Sequence, residues 1–504
     1  MGLKLAQCAA AVLPLLALAA LAAPTSAKLV VRVSESGNAT VSLVVTCEGA
    51  GSFSTYLPRF ERWSYTVAGG ELLGVEPHPS SYYFYDNVTF AYRAEGGSLS
   101  INFTYRFPFA ALYSEGRGWF MSPLVGLSPP AGIDVLVEIR NLDTVIAVTV
   151  NGAVVTYVRE GKELRIPIPA ATVASSGGLR VTVDFRPERV KEEVFTEEAG
   201  NVSVRLRAPS FYRGLARTIA RVVEKALPRL REVFGYRPVS LEFKLFLPSM
   251  MDLRALGYVL GEDINAGNEG PVYLNLALVR FKEGYFETTI VHELVHKALG
   301  ALGVPASAEL RWFHEGVAQY ASLEICGKIG INVSDLRADL EAAARPYREG
   351  LRKPGFVSRW SPAGDEGSYY AASYYIVSSL CGRYGGLDYL KRVAEEIQRR
   401  GGVRTNSELV EALSAAAGTD LAPQFRAWGF ELADEVIRVP VPRWLAAAAA
   451  LALLAATAVS LAVILRRQRQ PRCPYCYAVV PRGAAYCPYC GHPLISAASS
   501  SSWL

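Results

Sequence analysis

Residues 444–465 form an apolar stretch that constrains the architecture of the whole chain. These 22 residues contain no charged side chain, and as a helix they would cross roughly 30 Å of hydrocarbon. Trp444 stands at one end, where an aromatic ring suits a membrane interface, and four arginines follow the other end within residues 466–472. Arginine-rich flanks mark the cytoplasmic side of a span. The sequence therefore predicts a single-pass membrane protein with residues 28–440 outside the cytoplasm and residues 467–504 inside it.

A second apolar stretch lies at the start of the chain. Lys4 precedes an Ala/Leu-rich run, and small residues follow up to Ala27, a pattern typical of a secretory signal peptide at residues 1–27. The alternative is an uncleaved anchor, and either would send the following chain outward. Glycosylation sequons agree with this topology. All of them lie in the predicted outer part, at Asn38, Asn87, Asn102, Asn201 and Asn332.

Composition limits the class of protein. The 504 residues are too many for one ordinary domain and suggest three or four units, and 51% of them are apolar, enough to build large cores. The chain has 52 Lys and Arg against 47 Asp and Glu, a net charge of +5, with no long basic run in its bulk. This balance gives no reason to expect nucleic acid binding.

Between the two apolar stretches the residue pattern changes once. Residues 28–190 contain short runs in which apolar and polar residues alternate, and Gly, Pro, Asn and Ser clusters separate these runs. This pattern predicts an all-β sandwich or saddle-shaped sheet. Within them, Asn151-Gly152 separates two β-branched runs and predicts a tight hairpin. Residues 200–437 start with helical spacing at 210–235, continue with strands, and are then mostly helical, which predicts an α+β domain. Its strand at 271–278 is expected at a sheet edge, beside which a peptide could lie.

The segment 288–300 contains the pattern His-Glu-x-x-His, as His292, Glu293 and His296. On a helix, positions four residues apart share a face, so both imidazoles can converge on one metal ion. Glu293 is placed to act on a water molecule at the metal rather than to bind the metal. A motif this short predicts a zinc site only if a third ligand exists.

The third candidate ligand is Glu315, which follows His296 after eighteen intervening residues, in the run Trp312-Phe313-His314-Glu315-Gly316. This spacing resembles the gluzincin zinc metallopeptidases, in particular the aminopeptidase N type, whose motif reads Trp-Leu-x-Glu-Gly. The resemblance covers residues 200–435 and implies a thermolysin-like catalytic domain with zinc on His292, His296 and Glu315. Three protein ligands leave the fourth position open for water, as in catalytic zinc sites. His314 could compete with Glu315, but neighbouring helix positions point about 100° apart, so we expect it to lie behind the metal or to face substrate.

Two further residues follow from the same resemblance. Tyr370 stands fifteen residues before Gly385-Gly386, where the family places a catalytic tyrosine that donates a hydrogen bond to the oxyanion. Tyr369 is its rival, and packing is the alternative role for either ring. The family's amine-binding motif is only echoed, by Glu269, so substrate binding by Glu269 is an expectation and endopeptidase action is as much implied as aminopeptidase action.

The eight cysteines fall into two groups. Two Cys-Pro-Tyr-Cys knuckles, ten residues apart, predict a closed structural zinc site in a small zinc ribbon at residues 472–495, followed by a low-complexity tail at 496–504. Its ligands are Cys473, Cys476, Cys487 and Cys490. Cys8 lies in the predicted signal, and Cys47 has no evident partner. Cys326 and Cys381 could form a disulfide in an oxidising compartment or remain two buried thiols.

The leading prediction is a membrane-anchored zinc metallopeptidase that hydrolyses extracytoplasmic peptides or proteins. It implies two zinc ions, one catalytic and one structural, and an unidentified cytoplasmic partner of the zinc ribbon. The first alternative is a non-catalytic receptor or adaptor that uses the same scaffold for binding. A second is a structural surface component, which would account for the β region and the sequons but not for the His/Glu set.

Overall fold

The computed structural model describes residues 23–248, 255–266, 270–347, 357–360, 365–433, 457 and 471–494. Residue contacts divide the chain into two compact units, one ending at Leu432 and one starting at Ala433. The predicted span at 444–465 lies outside the described residues except for Thr457. In the part of the chain that the structure describes, no helix combines the length and the apolar character needed to cross a membrane.

The N-terminal half of the first unit consists of two β-sheets. The strands run in the order β12-β13-β9-β1-β2-β5-β3 in a nine-stranded sheet, in which β4 also pairs with β5 and β8 with β2, and in the order β11-β10-β14-β7-β6 in a five-stranded sheet. Their bounds are β1 (Pro24–Val33), β2 (Ala39–Pro58), β3 (Trp63–Ala68), β4 (Gly70–Pro79), β5 (Tyr85–Phe107), β6 (Ala111–Ser114), β7 (Arg117–Met121), β8 (Leu127–Ser128), β9 (Ile133–Ile139), β10 (Leu142–Val150), β11 (Ala153–Val154), β12 (Val158–Glu160), β13 (Glu163–Ile168) and β14 (Val181–Pro187).

These two sheets share one core, because alternate residues of each strand face inward. Phe90 and Val135 of the larger sheet and Val183 and Phe185 of the smaller one belong to the same fully buried cluster. The sandwich expected from the alternation is therefore present. At its start, β1 already begins at Pro24, and Ala27 is buried within it, so the sheet includes residues that the sequence assigned to the signal segment.

Two local features of this region bear on the sequence predictions. Asn151 and Gly152 have φ angles of 47° and 89° and join β10 to β11, which confirms the predicted tight hairpin. Residues 170–176 form a short helix, α1 (Ala170–Ser176), where the sequence predicted only strands. Its Ala- and Ser-rich composition favours a helical turn, and Gly177, with a φ of 62°, ends it.

The C-terminal half of the first unit is an α+β arrangement. Its five-stranded sheet has the order β15-β16-β17-β19-β18, with β15 (Glu192–Ala199), β16 (Val202–Pro209), β17 (Ser240–Phe246), β18 (Gly257–Tyr258) and β19 (Val272–Asn275). The helices are α2 (Arg213–Phe234), α3 (Gly261–Asn265), α4 (Tyr285–Ala301), α5 (Arg311–Lys328), α6 (Ser334–Ala344), α7 (Glu366–Tyr384), α8 (Leu387–Arg400), α9 (Asn406–Ala417) and α10 (Ala422–Ala427). Short 3-10 helices span Ser210–Tyr212, Leu276–Arg280, Arg345–Tyr347 and Val357–Arg359. The α+β prediction is confirmed, and the sheet begins at Glu192, eight residues before the expected boundary.

The prediction of an edge strand at 271–278 was wrong. β19 lies between its parallel neighbour β17 and the antiparallel β18, which forms the edge instead. The strand also ends early, because the side chain of Asn275 accepts a hydrogen bond from the N–H of Ala277 at 3.0 Å and starts the 3-10 helix. The Asn275 amide in turn donates to the carbonyl of Ala255, at 2.9 Å, just before β18.

The two halves of the first unit are joined by the hairpin of β6 and β7. Leu112 and Trp119 from this hairpin are buried in the core of the α+β half. Arg280 of that half donates hydrogen bonds to the carbonyls of Phe109 and Ala110 and lies over the Trp119 ring, 5.0 Å from its centroid. The β-sandwich is thus packed against the α+β half through apolar side chains as well as hydrogen bonds.

Candidate metal centre on helices α4 and α5

Helices α4 and α5 bring three potential metal ligands together. Helix α4 starts after Gly284, whose φ of 85° lets the chain turn into the helix, and it packs against α5. The Nε2 atoms of His292 and His296 are 3.1 Å apart, and each is 3.5 Å from Oε2 of Glu315. The structure therefore brings together the three residues that the sequence pattern singled out.

The spacing of these atoms fits a metal ion. All ligand atoms of His292, His296 and Glu315 lie within 4.8 Å of one another. A tetrahedral zinc with bonds of about 2.0–2.1 Å separates its ligand atoms by roughly 3.3–3.5 Å, close to the distances observed. Two imidazoles and a carboxylate are also a donor set found in catalytic zinc sites. The residues present consequently fit zinc.

Burial and neighbouring charges shift the pKa values of these ligands in opposite directions. Burial alone would raise the pKa of Glu315, but the charge of His296 and the hydrogen bonds from both histidines lower it well below its usual range. Burial would lower the pKa of His296, but the Glu315 carboxylate raises it. In the absence of metal, the contact therefore stabilises the charged forms of both groups.

Glu293, which the sequence predicted to act as a general base, is buried on α4 next to His292. The residue is only 3% exposed, and its Oε2 atom has no hydrogen-bond partner among the described residues. Burial raises its pKa, while the neighbouring His292 and His296 oppose the shift. A buried carboxylate with a free oxygen is costly unless a water or substrate group completes its hydrogen bonds.

Gly257 places the edge strand directly over this carboxylate. A side-chain Cβ at Gly257 would lie 3.0 Å from Oε1 of Glu293 and 2.8 Å from Thr289 Cγ2. A glycine is therefore needed for β18 to pass so close to α4. Sequence reasoning missed this residue, although an isolated glycine beside short β-forming runs is a known sign of close backbone approach.

Arg311 is a second residue that sequence reasoning missed. It lies one helical turn before Glu315, with Nε 3.7 Å from Oε1, the carboxylate oxygen that does not face the histidines. Its guanidinium also lies over the ring of Trp360, 4.7 Å from the centroid. The separation of four residues on one helix face would have pointed to this ion pair.

Tyr370 lies on the second turn of α7, near the same cluster. Burial raises its pKa well above the usual value, the negative charge of Glu315 adds to the shift, and Arg311 opposes it through charge and a hydrogen bond. The ring of Trp360 meets Tyr370 edge to face at 5.2 Å, whereas it stacks on Tyr369 at 4.8 Å. Tyr370 therefore interacts electrostatically with Glu315 and Arg311 of this cluster.

One of the predicted site residues falls outside the described part of the chain. Glu269, the predicted amine-binding residue, lies outside the described residues. Gln319, one turn after Glu315, is buried, and its side-chain oxygen has no hydrogen-bond partner among the described residues.

The four cysteines of the C-terminal module form a second potential metal site. The Sγ atoms of Cys473 and Cys490 are 3.6 Å apart, as are those of Cys476 and Cys487. These separations are too long for disulfides, and they match the roughly 3.8 Å between thiolates around a zinc with bonds of about 2.3 Å. Burial would raise the pKa of Cys487, but backbone N–H groups and neighbouring thiols lower it to about 7. His492 is not in the cluster, since it stacks on the ring of Tyr475 at 4.4 Å.

The other described cysteines are free thiols. Cys47, Cys326 and Cys381 are all buried. Of the two alternatives for Cys326 and Cys381, the structure thus has two buried thiols rather than a disulfide.

Comparisons with known proteins found similarity among solved structures but none among family models or curated proteins. No family model matches the chain, and no curated protein matches it. Among solved structures, the chain is similar to an M1 zinc metallopeptidase from Deinococcus radiodurans, crystallised as a Glu-to-Ala mutant, with 14% identity and a TM-score of 0.32 over 84% of this chain and 97% of that one. A TM-score this low does not allow residue roles to be transferred between the two chains.

Proposed function

We propose that the chain is a zinc-dependent peptide hydrolase whose metal is held by His292, His296 and Glu315. The observation that carries the proposal is the combination of a three-ligand cluster at zinc spacing with the buried carboxylate of Glu293 next to it. Three protein ligands leave one position for water or substrate, which distinguishes a catalytic from a structural zinc site.

The reaction assigns a proton-transfer role to Glu293. When bound, zinc lowers the pKa of a water molecule and polarises a carbonyl oxygen. The Glu293 carboxylate takes one proton from the attacking water as the new C–O bond forms at the peptide carbonyl. It then delivers that proton to the peptide nitrogen as the C–N bond breaks. The raised pKa of Glu293 suits a residue that must both accept and return a proton.

Substrate positioning is assigned to Tyr370 and the edge strand β18. The phenol of Tyr370, which is protonated near neutral pH at its ordinary pKa and whose pKa burial raises further, donates a hydrogen bond to the oxygen that becomes negative during attack. β18 stands at the end of the strand order of its sheet, and we propose that an extended peptide substrate lies along this edge. The residue proposed to bind a free amine, Glu269, lies outside the described residues, so the proposal includes both cleavage inside a peptide and removal of its first residue.

The topology remains part of the proposal. The apolar stretch at 444–465 and the arginines after it support one membrane span, with the hydrolase outside the cytoplasm and the cysteine module inside it. In this arrangement the module holds a structural zinc and faces a cytoplasmic partner. The rival proposal is a receptor or adaptor, but binding alone would not need a carboxylate buried beside the metal ligands.

The test compares the full-length protein with Glu293→Gln, both purified in detergent. We expect two zinc ions per chain in each protein, because Glu293 is not a ligand. Peptide cleavage should fall by about 10²–10⁴-fold in the variant, the usual contribution of a general acid and base. Equal activity would refute the mechanism, and a parent with zinc in the cysteine module alone would refute the site.

A second comparison separates the two kinds of peptidase. Peptides with a free or an acetylated amine are digested in parallel by the parent protein. An endopeptidase cleaves both at similar rates, whereas an aminopeptidase requires the free amine.

A further inference from the structure

His314 is buried directly behind one of the metal ligands. It lies on α5, next to Glu315, and its side chain is almost fully buried, with the residue 4% exposed. Its Nδ1 atom is 3.3 Å from Nδ1 of His296, and its Nε2 atom is 3.2 Å from the carbonyl oxygen of Val304. Both ring nitrogens of His314 thus have partners. The contact with His296 is made to its Nδ1 atom, the ring nitrogen that does not face His292 and Glu315.

The protonation of the two rings follows from these contacts. Nε2 of His296 faces Nε2 of His292 and the Glu315 carboxylate, so it is the atom that would bind the metal through its lone pair. A neutral imidazole with a lone pair on Nε2 carries its proton on Nδ1. This Nδ1–H can donate only if Nδ1 of His314 is an acceptor. His314 then carries its own proton on Nε2 and donates it to Val304.

The carbonyl at the end of this chain is rigidly held. Val304 follows α4 and is completely buried, and its N–H donates to the carbonyl of Leu299 at 3.1 Å. The preceding Gly303, with a φ of 84°, accepts a hydrogen bond from the N–H of Val403 at 3.2 Å. The acceptor that fixes His314 therefore belongs to the connection between the two ligand-bearing helices.

We propose that His314 is a positioning residue that fixes the tautomer and ring orientation of His296 through a chain from the Val304 carbonyl. Metal-binding histidines usually donate their second N–H to a carboxylate, a backbone carbonyl or water. Here an imidazole stands between the ligand and the carbonyl. This inference rests on the proposed zinc site, and it also excludes His314 as a competing ligand, because both of its nitrogens are already used.

The test compares the full-length protein with His314→Leu and His314→Gln. Glutamine keeps an acceptor for His296 and a donor for Val304, whereas leucine fills similar space with neither. Affinity at the His/Glu cluster is measured by Co²⁺ titration, since only the cysteine module gives strong sulfur-to-metal charge-transfer absorption. We expect His314→Leu to weaken binding by about 10- to 100-fold and His314→Gln to bind within a few-fold of the parent. Equal affinity in all three proteins would overturn the proposal.

A spectroscopic measurement on the zinc-loaded parent does not depend on how the variants fold. The chain contains five histidines, so the ring nitrogens can be resolved by NMR after ¹⁵N-histidine labelling. The proposal requires the proton on Nδ1 of His296 and on Nε2 of His314, and a proton on Nδ1 of His314 would overturn it. If the parent takes up no metal outside the cysteine module, the proposed function fails. If it does so with the other His314 tautomer, only the positioning role fails.

Discussion

The two candidate metal-binding clusters of this chain are built in opposite ways. His292, His296 and Glu315 project from two long helices inside a large shared core, which would be packed whether or not a metal is bound. The four cysteines lie on two tight turns, and among residues 471–494, which the structure describes, the buried cluster consists of Cys473, Val480 and Cys487. In the first case the protein shapes the metal site, and in the second the metal must hold the protein together. The difference matches the roles expected of a reactive and of a structural zinc.

Metal removal should affect the folding of the two clusters very differently, and this is the largest expected effect. We expect chelation to unfold residues 471–494, because structural zinc contributes on the order of 10 kcal/mol to the folding of such small modules. Helices α4 and α5 should stay folded and lose only the few kcal/mol of ligand-linked stability. Hydrogen exchange of the full-length protein, with and without chelator, measures both regions at once. Unfolding of α4 on chelation would break the comparison.

Gly316 tests how much the packed helices determine the first cluster. A Cβ at this position would lie 2.5 Å from the carbonyl oxygen of Ser373 on α7, so Gly316→Ala must push α5 and α7 apart. We expect a loss of about 1–3 kcal/mol in the free energy of unfolding, with weaker metal binding by the adjacent Glu315. Chemical denaturation and Co²⁺ titration measure the two effects.

Gly382→Ala on α7 is the matched control. A Cβ there would meet nothing within 4 Å, so the substitution should stabilise the helix by up to about 1 kcal/mol. If both variants lost the same stability, close approach of α5 and α7 would not explain the result for Gly316.

The smallest effect concerns the thiols outside the cysteine module. Burial raises the pKa of Cys326 to about 12 and that of Cys47 to about 11, and it also raises the pKa of Cys381. At pH 8 their reactive thiolate fraction is therefore very small. We expect an alkylating reagent to modify none of the three in the native protein, while chelation exposes the four module cysteines. Mass spectrometry of the labelled peptides would reveal any exception.

The sequence predicted the chemistry of the first cluster better than its surroundings. The pattern from His292 to Glu315 depends on helix periodicity and loop length, and both can be inferred from a short stretch of sequence. The position of β18 depends on pairing between residues 257–258 and 273–274, and no local pattern specifies such a partner. For the same reason the sequence predicted an edge strand at 271–278, although Asn275, a residue that commonly caps helices, already marked its end.

His314 shows a different limit. Its side chain has the right chemistry for a metal ligand, and helix geometry alone could place it either behind the cluster or facing substrate. Only the carbonyl of Val304 and the far nitrogen of His296 decide between these positions. Neither atom belongs to a sequence motif, because the type of a residue does not show which backbone carbonyl its side chain contacts or which tautomer a histidine adopts.

The hairpin of β6 and β7 determines how this protein can be divided experimentally. A fragment that starts after residue 190 would lose Leu112 and Trp119, leaving an apolar hole in the α+β core. It would also leave the buried end of Arg280 without the carbonyls of Phe109 and Ala110. An isolated α+β fragment should consequently aggregate or misfold, so a soluble fragment has to keep the sandwich, whose first strand begins at Pro24.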